Sequence, residues 1–167
     1  MRHVRLFLAA MALVGSAGLA AAQLDSPGGQ PVLLVTGAIA ETNAADAARF
    51  DLEMLRALDW VEIETHTSFT EGVQRFAGPT LSSLLSAVGA SGQVLRATAL
   101  NGYYVEIPVA DAAAHGVILA VEHNGERMRV RDKGPIWVVY PATEDEARRK
   151  LFDSEMIWQL QSLHVDP

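Results

Sequence analysis

There is no cysteine among the 167 residues, which excludes disulfides, thiolate metal sites and cysteine nucleophiles together. Cations are also few: 13 Lys and Arg face 20 Asp and Glu, for a net charge of −7. So acidic a chain argues against nucleic acid and anionic membrane surfaces as main partners, while leaving room for a local basic pocket. Beyond the N-terminus no apolar run reaches the roughly 18 residues of a membrane span. There is no Gly-x-Ser-x-Gly elbow, no P-loop and no Gly-x-Gly-x-x-Gly, so the common hydrolase and nucleotide-binding signatures are missing. His66, His115, His123 and His164 show no His-x-x-x-His or Glu-adjacent metal spacing. No repeat of fixed period, low-complexity tract or domain boundary breaks the chain.

What is present begins with an export signal. Arg2 and Arg5 form a positive n-region, and residues 6–19 are an apolar stretch softened by Gly15, Ser16 and Gly18. Ala20-Ala21-Ala22 is a small-residue cleavage site. Residues 1–22 are therefore read as a signal peptide, and the mature protein as periplasmic and two charges more negative. Arg2-His3-Val4-Arg5 lacks the arginine pair that marks export of folded proteins, so the chain is expected to cross unfolded and to acquire any cofactor outside. Residues 23–30 read as a flexible leader, and residues 31–167 as one domain with room for a core.

Within that domain, residues 31–37 (PVLLVTG) read as a buried strand. Phe50, Leu52, Leu55 and Leu58 lie near helical spacing, and residues 60–67 (WVEIETHT) alternate as a half-buried strand. Gly78-Pro79 opens a helix whose stripe is Leu81, Leu84, Leu85 and Val88, stopped by Gly89. Asn101-Gly102 joins residues 94–100 to 103–107 as a hairpin, and Asn124-Gly125 joins 117–122 to 127–130. Residues 136–140 form a further strand, 144–151 a short charged helix, and 157–165 a closing strand. About seven strands and two or three helices imply an α+β fold, with a mixed or mainly antiparallel sheet or barrel and helices on one side.

The most informative stretch is Arg131-Asp132-Lys133-Gly134-Pro135-Ile136-Trp137-Val138-Val139-Tyr140-Pro141. A charged tripeptide passes through a Gly-Pro break into a β-prone run closed by proline. Cations, a carboxylate, a Trp and a Tyr on a loop and its strand suit a flat, polar small molecule, anionic ones included. An ordinary buried strand behind a solvated turn fits the same residues.

Several further pieces stand in one order along the chain: Phe76-Ala77-Gly78-Pro79-Thr80-Leu81, Leu84-Leu85, Gly89-Ala90, residues 96–103 (RATALNGY), Ile107-Pro108, Asn124-Gly125, Lys133-Gly134-Pro135, Tyr140-Pro141 and Trp158-Gln159-Leu160. Together they resemble the molybdopterin-binding domain of sulfite-oxidase-type oxidoreductases, whose fold is α+β. The departures are as telling. Metal-carrying members of that family ligate molybdenum through a cysteine after the second strand, where this chain has Thr65, His66, Thr67 and Ser68. Trp137 stands where those enzymes place a phosphate-binding arginine, and Ile157 where they place a lysine. Those losses argue against a molybdenum cofactor and leave a molybdopterin-dependent oxidoreductase as the alternative. The chain also looks like the short periplasmic pterin-binding proteins of the PruR type. That resemblance implies a non-catalytic protein with no covalent cofactor. It would bind a reduced pterin and report to the periplasmic part of a membrane-bound cyclic-di-GMP enzyme. A purely structural partner protein with a vestigial pocket is the third reading.

A pterin needs an aromatic face to stack on and a carboxylate to accept from its guanidine-like edge. Trp137, Tyr103, Tyr104 and Tyr140 are the candidate faces, Asp132 and Glu106 the carboxylates. Arg96, Arg131 and Lys133 are candidate cations, with Asn101 beside them. Only one of Tyr103 and Tyr104 can face a common site, because strand neighbours point oppositely. Each residue has a plainer reading: Trp137 and Trp158 as core, Tyr140 as a strand end with its hydroxyl in water, residues 131–133 as a solvated turn, Asn101-Gly102 as a turn alone.

Overall fold

The computed structural model describes residues 24–167; the segment read as a signal peptide lies outside the described residues. Among the described residues there are three open sheets and four α-helices, and no barrel closes.

The first sheet has five strands in the order β2-β1-β11-β5-β6, namely β1 Leu33–Gly37, β2 Ala47–Phe50, β5 Val94–Ala99, β6 Tyr104–Pro108 and β11 Leu160–Asp166. The closing strand β11 runs parallel to β1 and antiparallel to β5, so the end of the chain lies in the middle of this sheet. Alternation divides its faces as the pleat requires. Leu33, Val35, Leu95, Ala97, Leu163 and Val165 point into the core, while Thr36, Arg96, Glu106 and His164 face solvent.

The second sheet runs β3-β4-β8-β9, with β3 Trp60–Thr65, β4 Gln74–Pro79, β8 Glu122–His123 and β9 Glu126–Arg127. Asn124 and Gly125 close its small hairpin at φ 52° and 81°, the left-handed pair that a two-residue turn needs. Between the sheets, β7 Ile118–Ala120 pairs with β10 Trp137–Val139. Val121 N–H donates to the Ala77 carbonyl at 2.8 Å, so this pair leans against β4. The approach is close enough that a Cβ on Gly78 would sit 2.0 Å from the Leu119 carbonyl oxygen.

The helices are α1 Leu52–Arg56, α2 Leu81–Ala87, α3 Val109–Ala114 and α4 Glu146–Glu155. α2 buries Leu81, Leu84 and Leu85, with Val88 at its C-cap, and Thr80 caps it by accepting from Ser83 N–H at 3.2 Å. α1 starts at Asp51, whose carboxylate accepts from Met54 N–H at 2.9 Å and Gly29 N–H at 2.7 Å. Those two bonds, Met54's first, hold its carboxyl below the usual range. The leader thus has contacts of its own. Gly29 reaches Asp51, the Asn43 amide donates to the Asp25 carbonyl at 2.8 Å, and Leu24 packs on the core.

Several elements differ from the sequence expectation. Phe50 belongs to β2 rather than to the helix, because residues 47–50 pair with β1. Residues 74–79 form β4, and Gly78-Pro79 ends a strand rather than starting the helix. The second hairpin shrinks to β8 and β9, since residues 118–120 pair instead with β10.

Candidate functional site

β10 carries Trp137, and both faces of this strand are buried: Trp137 is 1% exposed, and Val138 and Val139 are sealed. Just before it, residues 130–132 make a single 3-10 turn, and Lys133 adopts a left-handed conformation, φ 71°. That reversal takes the Lys133 side chain off the charged ridge and onto the aromatic cluster. Its ammonium lies 4.4 Å from the Trp137 ring centre and 5.3 Å from that of Trp158, within cation–π range.

Trp158 is held by the backbone on either side of it. Val138 N–H donates to the Ile157 carbonyl, and Gln159 N–H to the Lys133 carbonyl, both at 2.9 Å. Gln159 has φ 54°, so β11 starts only at Leu160; Ile157 turns into the core while Trp158 turns out, 36% exposed. Phe69, from the loop between β3 and β4, meets Trp158 edge-on at 5.1 Å, and Trp137 lies 6.0 Å from Trp158 at 83°. Edge-to-face contacts of this kind add about 0.5–1.5 kcal/mol each beyond area burial. The Trp137 Nε1–H has no hydrogen-bond partner among the described residues.

Beside this cluster lies a cavity of about 420 Å³, lined by Phe69, Asn101, Tyr103, Asp153, Trp158 and Gln159 over a floor that includes Ala99 and Ile157. Its size falls within the ~300–1,000 Å³ of small-molecule sites. Tyr103 reaches it from the β5–β6 turn, where Asn101 Oδ1 accepts from Tyr103 N–H at 3.0 Å and Gly102 takes φ 83°. Asp153, on α4, is the one carboxylate in the lining, and Ser68 Oγ donates to it. Lys133 Nζ donates to the Phe69 carbonyl at 2.9 Å, and burial lowers its pKa. The site therefore combines exposed aromatic edges, one carboxylate and one cation already engaged by the protein.

A profile described as the oxidoreductase molybdopterin binding domain matches residues 48–150, more than half of the chain. The chain belongs to that family. No curated protein matches it. The match takes in Lys133 and Trp137 and stops before Asp153, Trp158 and β11, so part of the cavity wall comes from beyond the matched stretch.

Within this molybdopterin-binding-type domain the sequence-predicted residues fall in four places. Lys133, Trp137, Asn101 and Tyr103 gather at the aromatic cluster and its cavity. Arg131 and Asp132 face outward: Arg129 Nε donates to Asp132 at 2.9 Å, Arg131 lies 3.6 Å away, and the Arg129 bond above all keeps Asp132 well below the usual carboxylate range. Asp132 lines a different and wider hollow of about 740 Å³, with His123, Arg127 and Arg129. Arg96, Glu106 and Tyr104 share the solvated face of the five-stranded sheet, where Arg96 pairs with Glu106 at 3.6 Å and covers the Tyr104 ring at 5.4 Å. Tyr104 begins β6 on that face, while Tyr103 stays in the turn before it.

Tyr140 corrects the expectation of a hydroxyl in water. It is fully buried, and its hydroxyl lies 2.8 Å from Glu155 and 3.0 Å from Asp111. Burial first, then Glu155, pushes its pKa far up. Burial likewise raises Glu155. Trp158, expected in the core, is the exposed indole of the site, and Trp137 is the sealed one.

Sequence reasoning missed Phe69, Asp153 and Trp158. Trp158-Gln159-Leu160 was itself part of the family pattern; Phe69 and Asp153 carry no local signal, because they meet only through the packing of a loop on α4. Where the resemblance places a metal-ligating cysteine, Thr65 and Thr67 are buried, and Thr67 Oγ1 lies 3.2 Å from Thr70 Oγ1. No group of three His, Cys, Asp or Glu able to hold a metal ion occurs among the described residues, and no helix among them is long and apolar enough to cross a membrane.

Proposed function

We propose that this protein is an exported, non-catalytic binding protein for a reduced pterin or a closely similar flat heteroaromatic, and that it reports occupancy to a membrane-bound sensor. The observation that carries the reading is the cavity at Trp158: aromatic side chains of Trp158, Phe69 and Tyr103 around a single carboxylate, Asp153. Stacking on such a ring contributes on the order of 1 kcal/mol beyond area burial. A charge-assisted bond from the ligand's 2-amino and N3 hydrogens to a carboxylate contributes about 1.5–3 kcal/mol.

The same residues do not fit the molybdenum-bearing form of the family's cofactor. No thiolate is available in the sequence. The two positions that the resemblance assigns to phosphate-binding cations hold Trp137 and Ile157, both buried among apolar side chains. The carboxylate in the cavity would repel a phosphate or dithiolene, and the nearest ammonium already serves the Phe69 carbonyl. These features favour a neutral ring bearing hydrogen-bond donors over an anionic, metal-loaded one.

Tryptophan fluorescence tests the reading. Anaerobic titration with 6,7-dimethyltetrahydropterin should give saturable quenching that is largely lost in Trp158→Phe. Absence of saturable quenching by this pterin and by its dihydro and oxidised forms would defeat the reading.

A further inference from the structure

Residues 66–73 link β3 to β4 as a loop whose own bonds are short-range. Thr67 accepts from Phe69 N–H at 3.1 Å and from Thr70 N–H at 3.3 Å. Gln74, at the start of β4, donates to the Glu71 carbonyl at 2.6 Å. Beyond itself and its flanking strands, the loop is tied down by two hydrogen-bonded tethers among the described residues. Asp153 accepts from both Ser68 Oγ and Ser68 N–H, and Lys133 Nζ donates to the Phe69 carbonyl. Asp153 lines the Trp158 cavity, and Lys133 lies over the Trp158 ring. The groups that anchor the loop are therefore the charged groups at the cavity. The loop also places two apolar side chains at the surface, Phe69 at 37% and Val73 at 64% exposure.

We propose that the loop at residues 66–73 is a ligand-operated latch. A ring bearing an amino and an adjacent N–H takes the Asp153 carboxylate from Ser68, and the released loop, still tied by Lys133 at the Phe69 carbonyl, re-seats Phe69 against the bound ring and carries Val73 with it. This rests on the binding function proposed above and adds how occupancy becomes visible from outside. The exchange favours the ligand on chemical grounds. Two parallel N–H donors meet a carboxylate in the fork geometry that one serine hydroxyl cannot supply, and Ser68, exposed at the surface, finds water in place of Asp153 at little cost. Latched and ligand-bound states thus compete for one carboxylate, and that competition is the differential affinity any population shift requires.

Amide hydrogen exchange of the full mature chain, with and without saturating 6,7-dimethyltetrahydropterin, tests the latch. Saturation is verified independently by tryptophan quenching, so failure to bind defeats the pterin reading and leaves the latch to be judged on the free protein. The expected result is faster exchange across residues 67–70 in the bound state. Unchanged or slower exchange at proven saturation overturns the proposal. Ser68→Ala removes the hydroxyl tether to Asp153, leaves the weaker Ser68 N–H bond, and changes no residue of the cavity lining. It should raise exchange of the same amides in free protein toward the bound level and tighten pterin binding about 3–10-fold, the weight of one hydrogen bond no longer in competition. Wild-type exchange in free Ser68→Ala, or unaltered or weaker binding by it, would equally overturn the latch.

Discussion

The two indoles at the site take opposite parts, and substitution separates them. Trp158 is open to solvent on one side and anchored by backbone bonds that do not involve its ring. Trp158→Ala should therefore leave the melting temperature within a few degrees of wild type while weakening tetrahydropterin binding roughly tenfold, about 1.4 kcal/mol. Trp137 is sealed, edge-on to Phe76 at 5.3 Å and capped by Lys133. Trp137→Ala should cost about 3–5 kcal/mol of stability by opening a cavity in the core, whatever it does to binding. Calorimetric titration beside thermal unfolding reads both effects; a stable, non-binding Trp137→Ala with a fully binding Trp158→Ala would reverse the assignment. Lys133 makes the same point about context. Its neighbours Arg131 and Asp132 are a solvated turn, as the plainer reading of the charged tripeptide had it, yet one left-handed residue turns the third charge inward.

At the level of elements, the junction of α3, α4 and the end of β10 holds a buried carboxylate cluster: Glu155 and Asp111 converge on the one Tyr140 hydroxyl, with His115 3.9 Å from Asp111. The hydroxyl has one proton to give, so two ionised carboxylates there would leave one unserved. Burial raises the Glu155 pKa above its ordinary value near 4.5. A group raised in the folded state stabilises fully below its unfolded pKa, and that contribution is lost as pH climbs through the folded value. Wild-type stability should therefore decline as pH rises from about 4.5 through the raised pKa of Glu155. Glu155→Gln should show a flatter profile across the same window. Thermal unfolding from pH 4 to 8 measures both, and parallel profiles for the two proteins would remove Glu155 from the linkage. Elements also show what the residues could and could not disclose. The α2 stripe and both Asn-Gly turns were legible because spacing and turn chemistry are local. β4 was not, since Gly78 and Pro79 look like punctuation until β7 is seen lying against them, with the Leu119 carbonyl where a Cβ would stand. Gly78→Ala should accordingly lose about 1–3 kcal/mol to overpacking, and wild-type stability in that variant would mean the β4–β7 approach is looser. β2 escaped for a related reason. Ala47-Ala48-Arg49-Phe50 has helical composition, and only pairing with β1 makes it a strand.

Across the whole molecule, the closing strand joins stability to the site. β11 lies between β1 and β5, and the residues leading into it are pinned to Lys133, Ile136 and Val138 by backbone bonds of 2.9–3.0 Å. Trp158 and Gln159 thus enter the cavity wall only because the end of the chain is inserted into the first sheet. This was beyond reach of the sequence, where residues 157–165 read as one strand with Trp158 inside it. One buried cluster runs from Leu33 through Phe76 and Trp137 to Val165, so the sheets share a core and should unfold together. Leu163, fully buried in the centre of β11, tests that unity. Leu163→Ala should cost about 2–5 kcal/mol, a fall of roughly 6–20 °C for a domain of this size. Far-UV circular dichroism and tryptophan fluorescence should still report one shared transition. A saturating pterin should raise that single transition by mass action in wild type and variant alike. Fluorescence melting before the backbone signal would instead mean that the Trp158 segment detaches on its own, and that the site is built on the core without being part of it.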